Sequence, residues 1–379
     1  MDTEILVVGA GPAGLAAAKT LTDAGHRVEL IDKADRVGAS WRSHYERLHL
    51  HTVKSLSALP GLGFAAHLPK YVPRQGVVDY LQAYAERAGI APHFGAEART
   101  IVPAEGGGWL TTTVDGRSFR SHAVVVTTGA NNIPFVPKIE GDDVFAGRIL
   151  HSRNYRSGAA FAGRRVLVVG MGNTGAEIAL DLAEHGATVA LSVRSPVNIV
   201  HRDVLGRPTQ KTAMALARLP QPIGDWLAAF LCDVTVGDLG RLGLVRSQVS
   251  PMRQLREDGH TAVIDVGTLA RLRSGEITAY PGIAALTPTA ARFVDGRSVE
   301  IDTLVLATGY RAGIEAMFPA STVPVDATGL PTQLAGDGAL AGIYFVGFDT
   351  RQPGGLLRTI GLQAEALARL VPKALAPIV

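Results

Sequence analysis

An aliphatic run that breaks into G-x-G-x-x-G and then into a helix occurs twice in this chain. The first copy is Ile5-Leu6-Val7-Val8-Gly9-Ala10-Gly11-Pro12-Ala13-Gly14. Four consecutive aliphatic residues read as a strand buried on both faces. Gly9 permits the tight turn out of the strand. Gly11 lets the backbone approach a pyrophosphate, and Gly14 lets the next helix pack close to the sheet. That helix is expected over about Ala13 to Asp23, with Gly25 as its stop. Its opening residues, Pro12 and Ala13, turn their end of the helix toward the phosphates. A second strand, Val28 to Ile31, leads to Asp32, 18 residues after Gly14, with Lys33 beside it. A carboxylate there accepts hydrogen bonds from an adenosine ribose.

The second copy is Arg165-Val166-Leu167-Val168-Val169-Gly170-Met171-Gly172-Asn173-Thr174-Gly175. Asn173 and Thr174 stand between its last two glycines. A helix is expected through about Glu184, closed by Gly186, and a strand from Thr188 to Val193. Arg194, followed by Ser195, stands 19 residues after Gly175, where the first copy has its acid. A carboxylate would repel a 2′-phosphate, whereas a guanidinium pairs with it. The first site is therefore expected to take a dinucleotide with a free ribose hydroxyl, such as FAD. The second is expected to prefer NADPH over NADH.

Two further segments match each other: Ala123-Val124-Val125-Val126-Thr127-Thr128-Gly129 and Leu304-Val305-Leu306-Ala307-Thr308-Gly309-Tyr310. Each is an apolar strand that ends in a Thr-Gly turn, expected beside a cofactor. The fold expected is α/β, with two Rossmann-like dinucleotide-binding domains and the first of them discontinuous. Its boundaries are placed at 1–157 and 290–379 for FAD, with 158–289 for NADPH.

Composition narrows the class. With 37 Lys+Arg against 34 Asp+Glu, the net charge of +3 is too even for a chain that lives by nucleic-acid phosphate contacts. A hydrophobic share of 47% and a charged share of 19% fill a sizeable core. The single cysteine, Cys232, excludes an internal disulfide, a CxxC redox pair and a dithiol reductase, and is read as a buried small hydrophobe. No apolar run reaches the roughly 18 residues of a membrane span, and the acidic start Met1-Asp2-Thr3-Glu4, followed by a glycine-rich turn, is not expected to act as a secretory signal. A cytoplasmic location and no membrane partner are the expectations. No nucleophile elbow and no HExxH metal pair is found, and no metal is expected. The apolar run Thr212 to Leu231 has helical spacing and reads as a helix packed on the second domain, a substrate lid or a dimer face.

The order of glycine triplet, strand-TG, triplet, strand-TG resembles the flavoprotein monooxygenases with two dinucleotide-binding domains. Between the first TG turn and the second triplet, Phe145-Ala146-Gly147-Arg148-Ile149-Leu150-His151-Ser152-Arg153-Asn154-Tyr155 fits the fingerprint F-x-G-x-x-x-H-x-x-x-[YW] of that family at every defined position. Tyr155 followed by Arg156 is similar to the flavin-containing monooxygenase form. Baeyer–Villiger relatives usually carry Trp there, then Pro or Asp. A closer likeness is to the YUCCA-type indole-3-pyruvate monooxygenases and their bacterial relatives. It is carried by Trp41-Arg42, by Tyr45-Glu46-Arg47-Leu48-His49-Leu50-His51-Thr52-Val53-Lys54, by Val266-Gly267-Thr268-Leu269 and by Gly342-Ile343-Tyr344-Phe345-Val346-Gly347-Phe348. Ala39 departs from a usual glycine, and Asp32 from the common Glu.

The resemblance implies an FAD- and NADPH-dependent monooxygenase that forms a C(4a)-hydroperoxyflavin from molecular oxygen and passes one oxygen atom to a small organic substrate. Oxidative decarboxylation of a 2-oxo acid leads, N- or S-oxygenation follows, and Baeyer–Villiger oxidation comes third. An NADPH oxidase or flavin reductase releasing hydrogen peroxide is the rival reading. The resemblance places His51 and Thr52 near the reactive edge of the flavin, and has His151 and Ser152 position the nicotinamide half of NADP. Trp41 would cover the flavin, with Arg42 beside it. Thr128, Gly129, Thr308, Gly309, Tyr310, Gly347 and Leu356 would line the cofactors. Homo-oligomers are common in the family.

Overall fold

The computed structural model describes residues 1–372. The elements that build its two main sheets are, in chain order, β1 (Asp2–Val8), α1 (Pro12–Asp23), β2 (Val28–Ile31), α2 (Arg74–Arg87), β3 (Ala98–Pro103), β4 (Trp109–Thr113), β5 (Ser118–Val126), β6 (Arg148–His151), β7 (Arg165–Val169), α3 (Asn173–Glu184), β8 (Thr188–Ser192), β9 (Ile277–Tyr280), β10 (Thr303–Leu306), β11 (Ile343–Phe345) and α4 (Leu356–Leu370). The chain divides into two compact units. One holds Met1–Ser43, Thr52–Ile133 and the segment from Tyr310 onward, and the other holds His44–His51 and Pro134–Gly309.

In the first unit β1 lies parallel to β2 on one side and to β5 on the other. Strand β5 is shared along its length. Its first residues pair antiparallel with β4, and Val124–Val126 pair parallel with β11. The aliphatic run of β1 is buried on both faces, with Ile5, Leu6 and Val7 fully covered, as a central parallel strand requires. Helix α1 buries Ala13 through Ala18. Its Thr20 hydroxyl reaches the Ala364 carbonyl of α4 at 3.0 Å, so the two helices lie close.

The second unit repeats the plan with five parallel strands in the order β9-β8-β7-β10-β6. Val166, Leu167 and Val168 are fully buried in its centre, and α3 covers the sheet with Ala176, Ile178, Ala179, Leu180 and Leu182. The two units part at 133/134 and 309/310, not at the expected 157/158 and 289/290. The reason is hydrogen bonding. β10 lies between β7 and β6, with Val305 paired to both Val168 and Leu150, so both flanking segments belong to this sheet. Residues 44–51 join it too: Tyr45 packs in its core, and the Glu46 N–H donates to the Arg156 carbonyl at 2.9 Å. Residues 373–379, the end of the expected second FAD segment, lie outside the described residues.

The run expected as one helix over 212–231 is two helices, Thr209–Leu216 and Gln221–Val236. Pro220 separates them, since it lacks the N–H that would continue the ladder. Cys232 is buried, and burial pushes its thiol up to about 11. No helix among the described residues is long and apolar enough to cross a membrane.

Candidate functional site

In the first unit the glycine turn is fixed by its own surroundings. Gly9 has φ +115°, and a Cβ on it would lie 2.7 Å from the Thr127 carbonyl oxygen. A Cβ on Gly14 would lie 1.7 Å from the Gly9 carbonyl oxygen. Only glycine fits either position. Gly11 differs: a Cβ there meets nothing within 4 Å. No protein atom excludes a side chain at Gly11, so its glycine suits a ligand's approach.

The strand that ends in Thr127-Thr128-Gly129 closes the turn from the side. The Thr127 hydroxyl donates to the Val8 carbonyl at 2.8 Å and lies 2.9 Å from the Gly9 carbonyl. Sequence reasoning passed over Thr127, although it stands beside the two residues it singled out. The Thr128 hydroxyl is buried and finds no hydrogen-bond partner among the described residues, and Gly129 adopts φ +85°. The Asp32 carboxylate accepts from the Ala10 and Ala34 N–H groups, the latter at 2.7 Å. Two bonds do not exhaust a carboxylate, which can accept about four.

The second unit reproduces this geometry atom for atom at three positions. A Cβ on Gly170 (φ +100°) would lie 2.7 Å from the Ala307 carbonyl oxygen, and one on Gly175 would lie 1.9 Å from the Gly170 carbonyl oxygen. Gly172, like Gly11, opens onto nothing within 4 Å. Ala307 thus takes the place that Thr127 holds in the first unit. Asn173 has a further task, since its side-chain carbonyl accepts from the Ile264 N–H at 2.6 Å.

Register corrects the reading of Arg194. Gly9 N–H donates to Ile31, and Gly170 N–H donates to Ser192. Asp32 follows Ile31, so its counterpart is Val193, and Arg194 matches Lys33. The second site therefore has an uncharged side chain at the acid's position and the guanidinium one residue further on. Arg194 is exposed, as is Ser195, and it makes no hydrogen bond or ion pair with a described residue. Lys33, by contrast, donates to the Asn132 side chain at 3.0 Å.

The remaining expected residues separate by unit. Trp41 and Arg42 lie on the short helix Ala39–Arg42 of the first unit. Its leading residue, Gly38, has φ +67° and donates to the Ala10 carbonyl at 3.3 Å, which ties this helix to the first glycine turn. Arg42 Nε donates to the Val37 carbonyl at 3.0 Å. Gly347 lies against the start of α1, where a Cβ on it would be 2.8 Å from Ala13 Cβ. Thr52 sits against Gly355, just before Leu356; a Cβ on Gly355 would lie 2.5 Å from Thr52 Cγ2. The Thr52 hydroxyl is 2.7 Å from the Ser57 hydroxyl. Tyr310 opens the last segment of this unit.

In the second unit His151 is buried and engaged at both ring nitrogens. Its Nδ1 accepts from the Arg153 N–H at 3.1 Å, which leaves Nε2–H to donate to the Gly309 carbonyl at 3.1 Å. Burial pushes its imidazole below the ordinary histidine value, against the opposing pull of the Gly309 carbonyl. His151 thus holds the Thr308-Gly309 turn. Ser152 next to it is buried and opens a single 3₁₀ turn. The Thr308 hydroxyl donates to the Phe135 carbonyl, unlike that of Thr128. Tyr155 is fully buried and donates to Asp181 at 2.6 Å; burial, then that bond, raises its phenol. His51 Nε2 lies 2.6 Å from Oε1 of Glu177, a buried residue of α3 that sequence reasoning missed. The available signal was a carboxylate spaced four residues from both Asn173 and Asp181 on one helix. The described residues hold no cluster of side chains able to bind a metal ion.

A parallel strand that opens through G-x-G-x-x-G into a helix, found twice, places the chain among the dinucleotide-dependent oxidoreductases. Its sequence matches the family model described as flavin-binding monooxygenase-like over residues 2–322, and the chain belongs to that family. It is 39% identical over 312 residues to the indole-3-pyruvate monooxygenase YUCCA1 of Oryza sativa subsp. japonica, across 82% of this chain and 77% of that protein. It is 35% identical over 356 residues to the indole-3-pyruvate monooxygenase YUCCA6 of Arabidopsis thaliana, across 91% and 85%. Among solved structures, a flavin-containing monooxygenase from Stenotrophomonas maltophilia superposes with a TM-score of 0.73 at 22% identity, across 97% of each chain. Cyclohexanone monooxygenase in its open form gives 0.75 at 19% identity, across 97% of this chain and 87% of that one. At these identities the structures show the shared fold. The chain is a flavoprotein monooxygenase that uses FAD and NADPH. The open faces of Gly11 and Gly172 and the unpartnered Thr128 hydroxyl fit such groups.

Proposed function

We propose that the first unit binds FAD, that the second binds NADPH, and that the enzyme oxygenates a 2-oxo acid with loss of carbon dioxide. The observation that carries the assignment of cofactors is the contrast at the two strand ends. Asp32 offers a carboxylate to a free ribose diol, whereas Val193 and Arg194 remove the carboxylate and supply an unpaired guanidinium. The choice of substrate rests on the likeness to relatives named for indole-3-pyruvate. N- and S-oxygenation are the next reactions to test.

The overall change is R–CO–COOH + O₂ + NADPH + H⁺ → R–COOH + CO₂ + H₂O + NADP⁺. Bound FAD, reduced by NADPH, supplies the activation of oxygen, which no side chain can do. The residues bind and orient. The glycine turns and helix starts at Gly11–Ala13 and Gly172–Thr174 hold the two pyrophosphates. Thr128 Oγ1, Thr52 and His51 supply hydrogen bonds to bound groups, and Trp41 shields the flavin. Gly129, Gly347, Tyr310 and Leu356 line the FAD, and Ser195 flanks the 2′-phosphate. His151 and Ser152 act on the nicotinamide half by holding the Thr308-Gly309 turn.

The test is turnover of the FAD-loaded protein with NADPH, oxygen and indole-3-pyruvate. Catalase is present, because free peroxide decarboxylates 2-oxo acids by itself. Acid product equal to the NADPH consumed supports the reading. NADPH consumption without acid product, with catalase present, contradicts it.

A further inference from the structure

Helix α3 carries Asn173, Glu177 and Asp181 at intervals of four, with His185 as its C-cap one interval further on. Such spacing puts them along one face. Asn173 and Asp181 satisfy backbone and tyrosine donors of their own unit: Ile264 N–H at 2.6 Å, and Tyr155 hydroxyl and Gly158 N–H at 2.6 and 2.8 Å. Glu177 differs. It is 3% exposed, and its one hydrogen-bond partner among the described residues is His51 Nε2. Burying a carboxylate for a single bond is a poor way to hold a fold, since an apolar residue of similar size packs there at less cost.

The other ring nitrogen supplies the reason. His51 Nδ1 is buried and meets no hydrogen-bond partner among the described residues. Native structures rarely leave such an atom without a partner. One nitrogen is committed to a carboxylate while the other is held in place without a partner among the described residues. That is how a carboxylate fixes the orientation of an imidazole that works on a ligand. Glu177 is also two residues beyond Gly175, in the first turns of the helix whose start carries the open Gly172. We infer that Glu177 is a positioning residue that fixes the His51 ring, so that Nδ1 hydrogen-bonds the dinucleotide held by the Gly170–Gly175 turn. This deepens the reading above and rests on its placing of NADP(H) in the second unit.

The experiment measures NADP⁺ binding by titration calorimetry to the oxidised, FAD-loaded enzyme, so no turnover enters. Glu177→Leu and His51→Ala should each weaken NADP⁺ roughly 3- to 10-fold, as expected for one lost hydrogen bond. The double variant should be no weaker than either single one. Glu177→Gln keeps an oxygen acceptor for Nε2–H and should stay within about 2-fold of the parent. Parent-like binding by Glu177→Leu or by His51→Ala overturns the inference, as does additive loss in the double variant. If Glu177→Leu fails to fold, His51→Ala and Glu177→Gln decide alone. A parent enzyme that keeps its FAD but binds no NADP⁺ removes the underlying placement of NADP(H), and the inference falls with it.

Discussion

Val193 is the structural counterpart of Asp32. Each directly follows the strand residue whose carbonyl accepts the first glycine N–H of its turn, Ser192 in one case and Ile31 in the other. One position carries a carboxylate and the other an isopropyl group, and the next residue changes from a paired Lys33 to an unpaired Arg194. The two sites are alike in backbone and opposite in what they offer a ribose.

Arg194→Ala should therefore raise the KM for NADPH roughly 10- to 100-fold, the worth of hydrogen bonds to a charged group. The KM for NADH should barely move, and the FAD content should stay at the parent level. Steady-state kinetics with both nucleotides checks this. Equal weakening of NADPH and NADH would place Arg194 away from the 2′-phosphate.

Gly170 and Gly172 should respond differently to the same methyl group. Gly170→Ala forces φ +100° on a residue with a Cβ and drives that Cβ against the Ala307 carbonyl. Strain of this kind costs about 1–3 kcal/mol, so the melting temperature should fall by several degrees. Gly172→Ala meets no protein atom. It should melt within about 2 °C of the parent yet bind NADPH about 10-fold more weakly. Thermal melts paired with nucleotide titration separate the two.

Asp32→Ala removes the acceptor for a ribose and also leaves the Ala10 and Ala34 N–H groups without theirs. Purified protein should lose most of its FAD on gel filtration, consistent with about 1–3 kcal/mol for such losses. Asp32→Asn retains one oxygen and should hold more FAD than Asp32→Ala. The ratio of flavin absorbance to protein absorbance reads this directly.

His151 predicts a pH signature in stability. Burial lowers its folded-state value below the ordinary one, so the neutral imidazole favours the fold. Its contribution is complete above about pH 6.5 and is lost as pH falls through the lowered value. The gap in urea midpoint between parent and His151→Gln should be wide at pH 8 and narrow at about pH 5.5. A gap that widens toward acid would mean that His151 is charged and paired in the folded protein.

The parts legible in the sequence were the glycine turns, where backbone carbonyls exclude a side chain. Gly14 and Gly175 are dictated by carbonyls five residues before them, and Gly9 and Gly170 by the paired strand-TG segments. The backbone alone demands these glycines, so the pattern reveals them. The unit boundaries were not legible. The aliphatic run of β10 shows that it is a strand, but not that it would pair with both β6 and β7. Arg194 was misplaced by one residue because spacing from a glycine does not give register. Pro220 was visible, and its break in the helix was overlooked beneath the apolar spacing. Glu177 lies 126 residues from His51, and no local pattern joins them.

The central claim is that one atom of molecular oxygen enters a 2-oxo acid at the cost of one NADPH. The most direct measurement is turnover of indole-3-pyruvate by the FAD-loaded enzyme under ¹⁸O₂, with catalase present, followed by mass spectrometry of the acid product. One ¹⁸O atom per product molecule, with product equal to NADPH consumed, is the predicted result. Unlabelled acid, or NADPH consumption without acid, would contradict the account.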